Sequence, residues 1–89
     1  MKGNKDFLLR EVADSLVLVP VGDAARRFPG MIRLNETGRL LWELLEREQT
    51  PESLTEALLS RFEVSREQAA ADVKAFLERL RPTGAILFE

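Results

Sequence analysis

A chain of 89 residues, 45% hydrophobic and 31% charged, has the size and composition of one globular domain spanning residues 1–89. Its formal charge of −2 gives none of the positive field that binding to phosphates requires, so nucleic acid is not an expected partner. The chain has no Cys, His or Tyr, which excludes disulfides, thiolate metal sites and mechanisms that use an imidazole, thiolate or phenol.

The first half of the chain is predicted to form strands. Residues 7–12 and 15–20 are β-rich runs separated by Ala13-Asp14, a pattern that predicts a hairpin. A polar loop over residues 21–29 then leads to a third strand at residues 30–34. Three strands are therefore expected before any helix.

The second half is predicted to form three helices. Asn35 is placed to cap a first helix that ends near Arg47. Thr50-Pro51 begins a second helix with a capping hydroxyl before a proline at the first helical position. Ser65 and Gln68 have the spacing of a capping box at the start of the third helix.

Apolar residues recur on one face of each predicted helix, and these faces should form the core. They are Leu40, Leu41, Leu44 and Leu45 in the first, Leu54, Leu58, Leu59 and Phe62 in the second, and Ala69, Val73, Phe76, Leu77 and Leu80 in the third. Trp42 lies just off the first stripe and is expected to close the core. The tail, residues 83–89, is a turn followed by a short strand or an extended segment. We predict an α+β domain with three helices packed on one face of a three-stranded antiparallel sheet.

The residue inventory argues against an enzyme. No serine has a histidine to activate it, and the acidic pair Glu43 and Glu46 is expected on a solvated helix surface. The sequence contains neither a calcium-loop pattern nor a glycine-rich phosphate loop. We expect no catalytic residue, no metal and no cofactor. The polar start and the lack of a long apolar run predict a cytoplasmic protein without a membrane segment.

Two spaced patterns resemble the PqqD-like family, the family of coenzyme PQQ synthesis protein D. They are Leu34-Asn35-Glu36-Thr37-Gly38-x-x-x-Trp42-x-x-Leu45 and Asp72-Val73-x-x-Phe76-Leu77-x-x-Leu80-x-x-x-Gly84. The resemblance covers nearly the whole chain. It implies a winged-helix-like domain of three strands followed by three helices, known as the recognition element of ribosomally made, post-translationally modified peptides.

The resemblance also implies a function. In that family the leader of a precursor peptide adds as a strand to the third strand and lies against the third helix. The protein acts as a peptide chaperone that presents the precursor to a modifying enzyme, often a radical S-adenosylmethionine (radical SAM) protein. This sequence departs from the quinone-cofactor branch at Trp42 and at Glu48-Gln49-Thr50. The pathway is therefore left open between pyrroloquinoline quinone biosynthesis and another peptide modification.

Carried over by position, the implied peptide site has two walls and a set of charged contacts. One wall is the third strand, with Gly30, Met31, Ile32, Arg33 and Leu34. The other is the third helix, with Ala69, Ala70, Asp72, Val73, Phe76, Leu77 and Leu80. Possible charge contacts are Arg26, Arg27, Lys74 and Arg81. The competing interpretation makes the apolar members ordinary core residues and the charged members solvated surface.

Two other functions compete with peptide binding. Three helices and a β-ribbon also describe winged-helix DNA-binding regulators, although the third helix mixes acidic and basic residues and has no basic face. A structural module that self-associates is the second alternative, since an exposed strand edge makes a homodimer possible.

Overall fold

The computed structural model describes residues 1–88. In chain order its elements are β1 (Lys2–Gly3), β2 (Phe7–Val12), β3 (Ser15–Pro20), α1 (Asp23–Arg27), β4 (Ile32–Leu34), α2 (Glu36–Leu44), α3 (Pro51–Arg61), α4 (Arg66–Leu80), a 3₁₀ turn (Arg81–Thr83) and β5 (Ile86–Leu87). The predicted α+β class with a three-stranded antiparallel sheet is confirmed. None of the helices within these residues is long and apolar enough to cross a bilayer.

The three-stranded sheet has the order β2-β3-β4, so β3 lies at its centre. The predicted hairpin is confirmed with its bounds, and Phe7 pairs with Pro20 at its open end. Its turn residues Ala13 and Asp14 have φ of 50° and 68°, the left-handed conformation that matches the twist of a two-residue hairpin. The local pattern was sufficient to predict this unit.

The third strand is shorter than predicted. It comprises Ile32–Leu34 rather than residues 30–34. Its pairing with β3 begins at Ile32, which lies opposite Leu18. If the register continued, Gly30 would face Pro20, which has no amide hydrogen to donate. Gly30 and Met31 therefore precede the strand, and the Met31 side chain is 61% exposed.

The segment predicted as a polar loop contains the short helix α1, so the prediction of three strands before any helix is wrong. Helix α1 has five residues and follows Gly22, whose φ is 61°. Only Ala24 is buried in it. A helix this short has no apolar periodicity that sequence reasoning can detect.

The three longer helices begin where their caps predict. Side chains of Asn35, Thr50 and Ser65 each accept a backbone amide hydrogen bond in the first turn that follows. The predicted capping box at Ser65 is wrong in its second half, because the Gln68 side chain donates to Asp72 instead. A complete box is formed at the start of α3.

Helix α2 ends at Leu44 rather than near Arg47. The Gln49 side-chain amide donates to the Leu44 carbonyl over 2.8 Å, which satisfies an acceptor at the helix end. Phe62, predicted to face inward, is 37% exposed. It follows α3 in an extended conformation, with φ −127° and ψ 152°, so it leaves the helical stripe.

The core lies between the sheet and helices α2, α3 and α4. Its largest fully enclosed side chains are those of Leu18, Leu41, Leu45, Leu54, Leu58, Leu80 and Val73. The tail of the chain completes it: Ala85 and Ile86 are buried, and β5 pairs antiparallel with β1. The short-strand alternative for the tail is thus correct, although its last residue lies outside the described residues.

Candidate functional site

Strand β4 forms one edge of the three-stranded sheet. It pairs with β3 on one side, and no strand among residues 1–88 pairs with the other. Ile32 and Leu34 are buried, whereas the Arg33 side chain between them is exposed. Of the predicted strand wall, these two apolar side chains belong to the core, and the backbone is the part of β4 that a partner strand could reach.

A cleft of about 210 Å³ lies between this region and α4, and we call it the edge cleft. It is lined by Leu34, Asn35, Thr37, Gly38, Leu41, Asp72, Ala75, Phe76 and Arg79. Gly38 allows α2 to begin close to β4, since a Cβ there would lie 3.3 Å from Asn35 Oδ1 and 3.4 Å from Leu34 Cδ2.

Arg79 crosses from α4 to the edge strand. Its Nη2 donates to the backbone carbonyl oxygen of Arg33 over 2.6 Å. The side chain makes no ion pair with any described residue. Sequence reasoning missed this residue, although its spacing of three from Phe76 and seven from Asp72 places all three on one helix face.

Asp72 and Phe76 are the predicted helix residues that the structure brings next to β4. Asp72 is half-buried, and its Oδ1 accepts a hydrogen bond from Gln68 Nε2 over 2.8 Å. Phe76 lies in the apolar stripe of α4 and also lines the cleft. Ala69 and Leu80 are wholly enclosed.

Other predicted contacts lie on the opposite side of α4. Ala70, Lys74 and Arg81, together with Val73 and Leu77, line a separate cleft of about 520 Å³ that faces α3. Successive helical residues are rotated by about 100°, so positions 70, 74 and 81 lie roughly half a turn away from the face that carries Asp72 and Arg79. The Arg81 guanidinium lies 4.0 Å above the centre of the Phe88 ring.

The two predicted loop arginines lie on α1. Arg26 is exposed and its Nη1 is 3.9 Å from Oδ1 of Asp23. Arg27 is exposed as well and lines a hollow that also includes Gly84 and Leu87, near β5. Neither lines the edge cleft. No group of three His, Cys, Asp or Glu side chains within residues 1–88 is arranged to hold a metal ion.

The model of the family described as coenzyme PQQ synthesis protein D (PqqD) matches residues 15–86. The chain belongs to the PqqD family. The match begins at β3 and ends in β5, so it includes β4, the edge cleft and all of α4. A comparison with curated proteins gave no match.

Two solved structures share the fold of this PqqD-family chain. One is TbiB1 in complex with the TbiA(beta) leader peptide, with a TM-score of 0.77 and 22% identity over 100% of this chain and 98% of that one. The other is a lasso peptide synthetase B1 complexed with the leader peptide, with a TM-score of 0.73 and 22% identity over 97% and 95% of the two chains. At this identity the likeness establishes the fold.

The opposite edge of the sheet has its own open cleft, of about 460 Å³, between β1, β2 and α2. Trp42 lines it and is half-buried. Its indole packs against Gly3, where a Cβ would lie 3.1 Å from the Cη2 atom. Trp42 packs against the hydrophobic core, as predicted, and it also packs against β1 through Gly3.

Proposed function

We propose that this PqqD-family protein binds the leader of a precursor peptide as an additional strand on β4 and presents the precursor to a separate modifying enzyme. The observation that carries this proposal is the edge of β4 that pairs with no strand among residues 1–88 and lies beside the edge cleft. The two solved structures of the same fold, TbiB1 and the lasso peptide synthetase B1, are complexes with leader peptides, which supports it.

Strand addition divides recognition between backbone and side chains. Amide and carbonyl groups of β4 would hydrogen-bond with the peptide whatever its sequence. Alternate peptide side chains would then point toward α4 and enter the edge cleft, where Leu34, Ala75 and Phe76 supply apolar surface. Since β4 has only three residues, backbone pairing is short and the cleft contacts must supply much of the affinity.

In this proposal the protein assists the modifying enzyme only by positioning the precursor peptide. A bound leader brings the remainder of the precursor to the enzyme and raises its local concentration there. The protein itself needs no catalytic group, metal or cofactor for this task. Following the family resemblance, we propose a radical SAM protein as the modifying enzyme and the cytoplasm as the compartment, in quinone-cofactor synthesis or another peptide modification.

An NMR titration tests the binding mode. The ¹⁵N-labelled protein is titrated with the leader half of the short peptide encoded beside its gene, and a scrambled leader is the control. We expect saturable shifts of residues 31–35 and of α4 residues that line the edge cleft. Shifts confined to the α3–α4 cleft, or equal shifts with the scrambled peptide, would contradict the proposed site.

Backbone methylation of the peptide separates strand addition from other binding modes. In an edge strand only every second amide points toward its neighbour. N-methylation of one alternating set of leader residues should therefore abolish binding, whereas methylation of the other set should leave it largely intact. Equal effects of the two sets would rule out strand addition. Sedimentation of the free protein would show whether it self-associates, as it would if a second copy occupied the edge.

A further inference from the structure

The edge cleft carries two opposite charges that do not neutralise each other. Among the described residues that line it, Arg79 is the only cation and Asp72 the only anion. They lie seven positions apart on α4, a separation of about 10 Å along the helix axis. No ion pair joins them, and Asp72 is already bonded to Gln68. The cleft is therefore positive at one end and negative at the other.

Arg79 lies where an added strand would arrive. Its guanidinium has five N–H donors in a planar fork, of which Nη2 bonds to the Arg33 carbonyl in the free protein. The Arg33 side chain points to the opposite face of β4 from the buried Ile32 and Leu34, and it lines a separate hollow together with Glu11 and Glu36. Arg79 is thus the cation that a peptide in the edge cleft would meet, and its remaining donors have no carboxylate among the described residues.

We infer that Arg79 determines peptide specificity by pairing with an Asp or Glu side chain of the added strand. This inference rests on the proposed function. The carboxylate binds the guanidinium fork, while Asp72 repels an acidic residue at the other end of the cleft. Charge thereby sets both the preferred residue and its position along β4.

The same peptide should also carry an apolar residue near the acidic one. Phe76 lies one helical turn from Arg79 and, with Leu34 and Ala75, forms the apolar part of the cleft. Residues that point to the same face of a strand alternate. The selected peptide therefore has an acidic residue two positions from an apolar one, both directed at α4.

A displayed library of random 12-residue peptides supplies the probe without knowledge of the natural leader. The full chain is used as wild type, as Arg79→Gln and as the control Arg61→Gln, which removes a charge at the far end of α3. We expect wild type and Arg61→Gln to select peptides with Asp or Glu two positions from an apolar residue. Arg79→Gln should select the apolar residue without the acidic one.

A double-mutant cycle then measures the pair. One selected peptide is compared with its Asp→Asn or Glu→Gln counterpart by calorimetry. We expect the amide peptide to bind wild type about tenfold more weakly and to bind Arg79→Gln with unchanged affinity. Arg79→Lys should retain part of the preference, because an ammonium keeps the charge but lacks the fork.

The outcomes separate this inference from the proposed function. An acidic preference that persists in Arg79→Gln overturns the role of Arg79 and leaves strand addition in place. Failure of wild type to select any peptide overturns the proposed function, and the inference with it. Loss of the acidic preference in Arg61→Gln as well would show a general charge effect and would also overturn the role of Arg79.

Discussion

Glycine at positions 3 and 38 fits a close approach of neighbouring elements rather than an unusual backbone conformation. A Cβ at Gly38 would press on the Asn35 cap and on Leu34, and one at Gly3 would meet the Trp42 indole. Gly22 and Gly84, in contrast, have φ of 61° and 82° and open space around them. Gly3 and Gly38 therefore allow neighbouring elements to pack closely, whereas Gly22 and Gly84 allow the chain to turn.

The Gly3→Val variant tests this packing. A branched side chain must displace the half-buried Trp42 ring, so we expect the free energy of unfolding to fall by about 1–3 kcal/mol. Emission of this tryptophan, the single one in the chain, should shift toward longer wavelength in the folded state. Urea unfolding followed by fluorescence measures both effects.

Gly30→Val is the matched control. A Cβ at Gly30 would lie 3.5 Å from the Phe28 ring, an ordinary contact distance, and the residue is exposed. Its loss of stability should be much smaller, and the tryptophan emission should not change. Equal losses in the two variants would mean that the cost comes from the glycine backbone and not from contact with Trp42.

At the scale of elements, the predictions that hold are those with local causes. The hairpin followed from apolar runs and a two-residue turn, and helix starts followed from Asn35, Thr50 and Ser65. Two predictions that fail depend on contacts from outside the predicted element. The length of β4 depends on what lies opposite in β3, and the end of α2 depends on Gln49 reaching back to it.

Only part of the candidate site could be predicted from the sequence, because the rest depends on how α4 packs against β4. The apolar stripe of α4 showed which face is inward, but either flank of that stripe could have faced β4. Only the tertiary arrangement decides between them. Asp72 and Arg79 lie on the flank toward β4, whereas Ala70, Lys74 and Arg81 lie on the flank toward α3.

Helix α3 offers a prediction about its start. Ser53 Oγ accepts the Thr50 amide over 2.9 Å, whereas the equivalent residue of α4, Gln68, does not reach back to Ser65. Ser53→Ala should therefore lower the free energy of unfolding by about 1 kcal/mol. Gln68→Ala, the matched change, should alter it by no more than a few tenths of a kcal/mol. Urea denaturation compares the two, and a larger loss for Gln68→Ala would contradict this account of the caps.

On the scale of the whole molecule, the first and last elements hold each other in place. Strand β1 pairs with β5, the Gly3 amide donates to the Leu45 carbonyl, and the Asn4 amide donates to the Ala85 carbonyl, each over 2.8 Å. The sequence indicated neither β1 nor this pairing, because two residues carry no strand pattern and their partners are more than 80 positions away.

Ile86 and Leu87 test the contribution of β5 to the whole fold. Ile86 is buried and Leu87 is 53% exposed, although they are adjacent in the same strand. Ile86→Ala should lower the free energy of unfolding by about 2–4 kcal/mol, and Leu87→Ala by less than about 0.5 kcal/mol. Hydrogen exchange should also show faster exchange of the Asn4 amide in Ile86→Ala. Unchanged exchange there would mean that β1 stays bound without the Ile86 side chain.

The β1–β5 pairing has a consequence for how this domain can be joined to others. Lys2 faces Leu87 across the ladder, so the two ends of the described fold are neighbours in space. A short linker could join these two ends in a circularly permuted chain. Its new termini could lie at the exposed Ala13-Asp14 turn. The same domain could likewise be inserted into a surface loop of a larger enzyme without stretching its own strands.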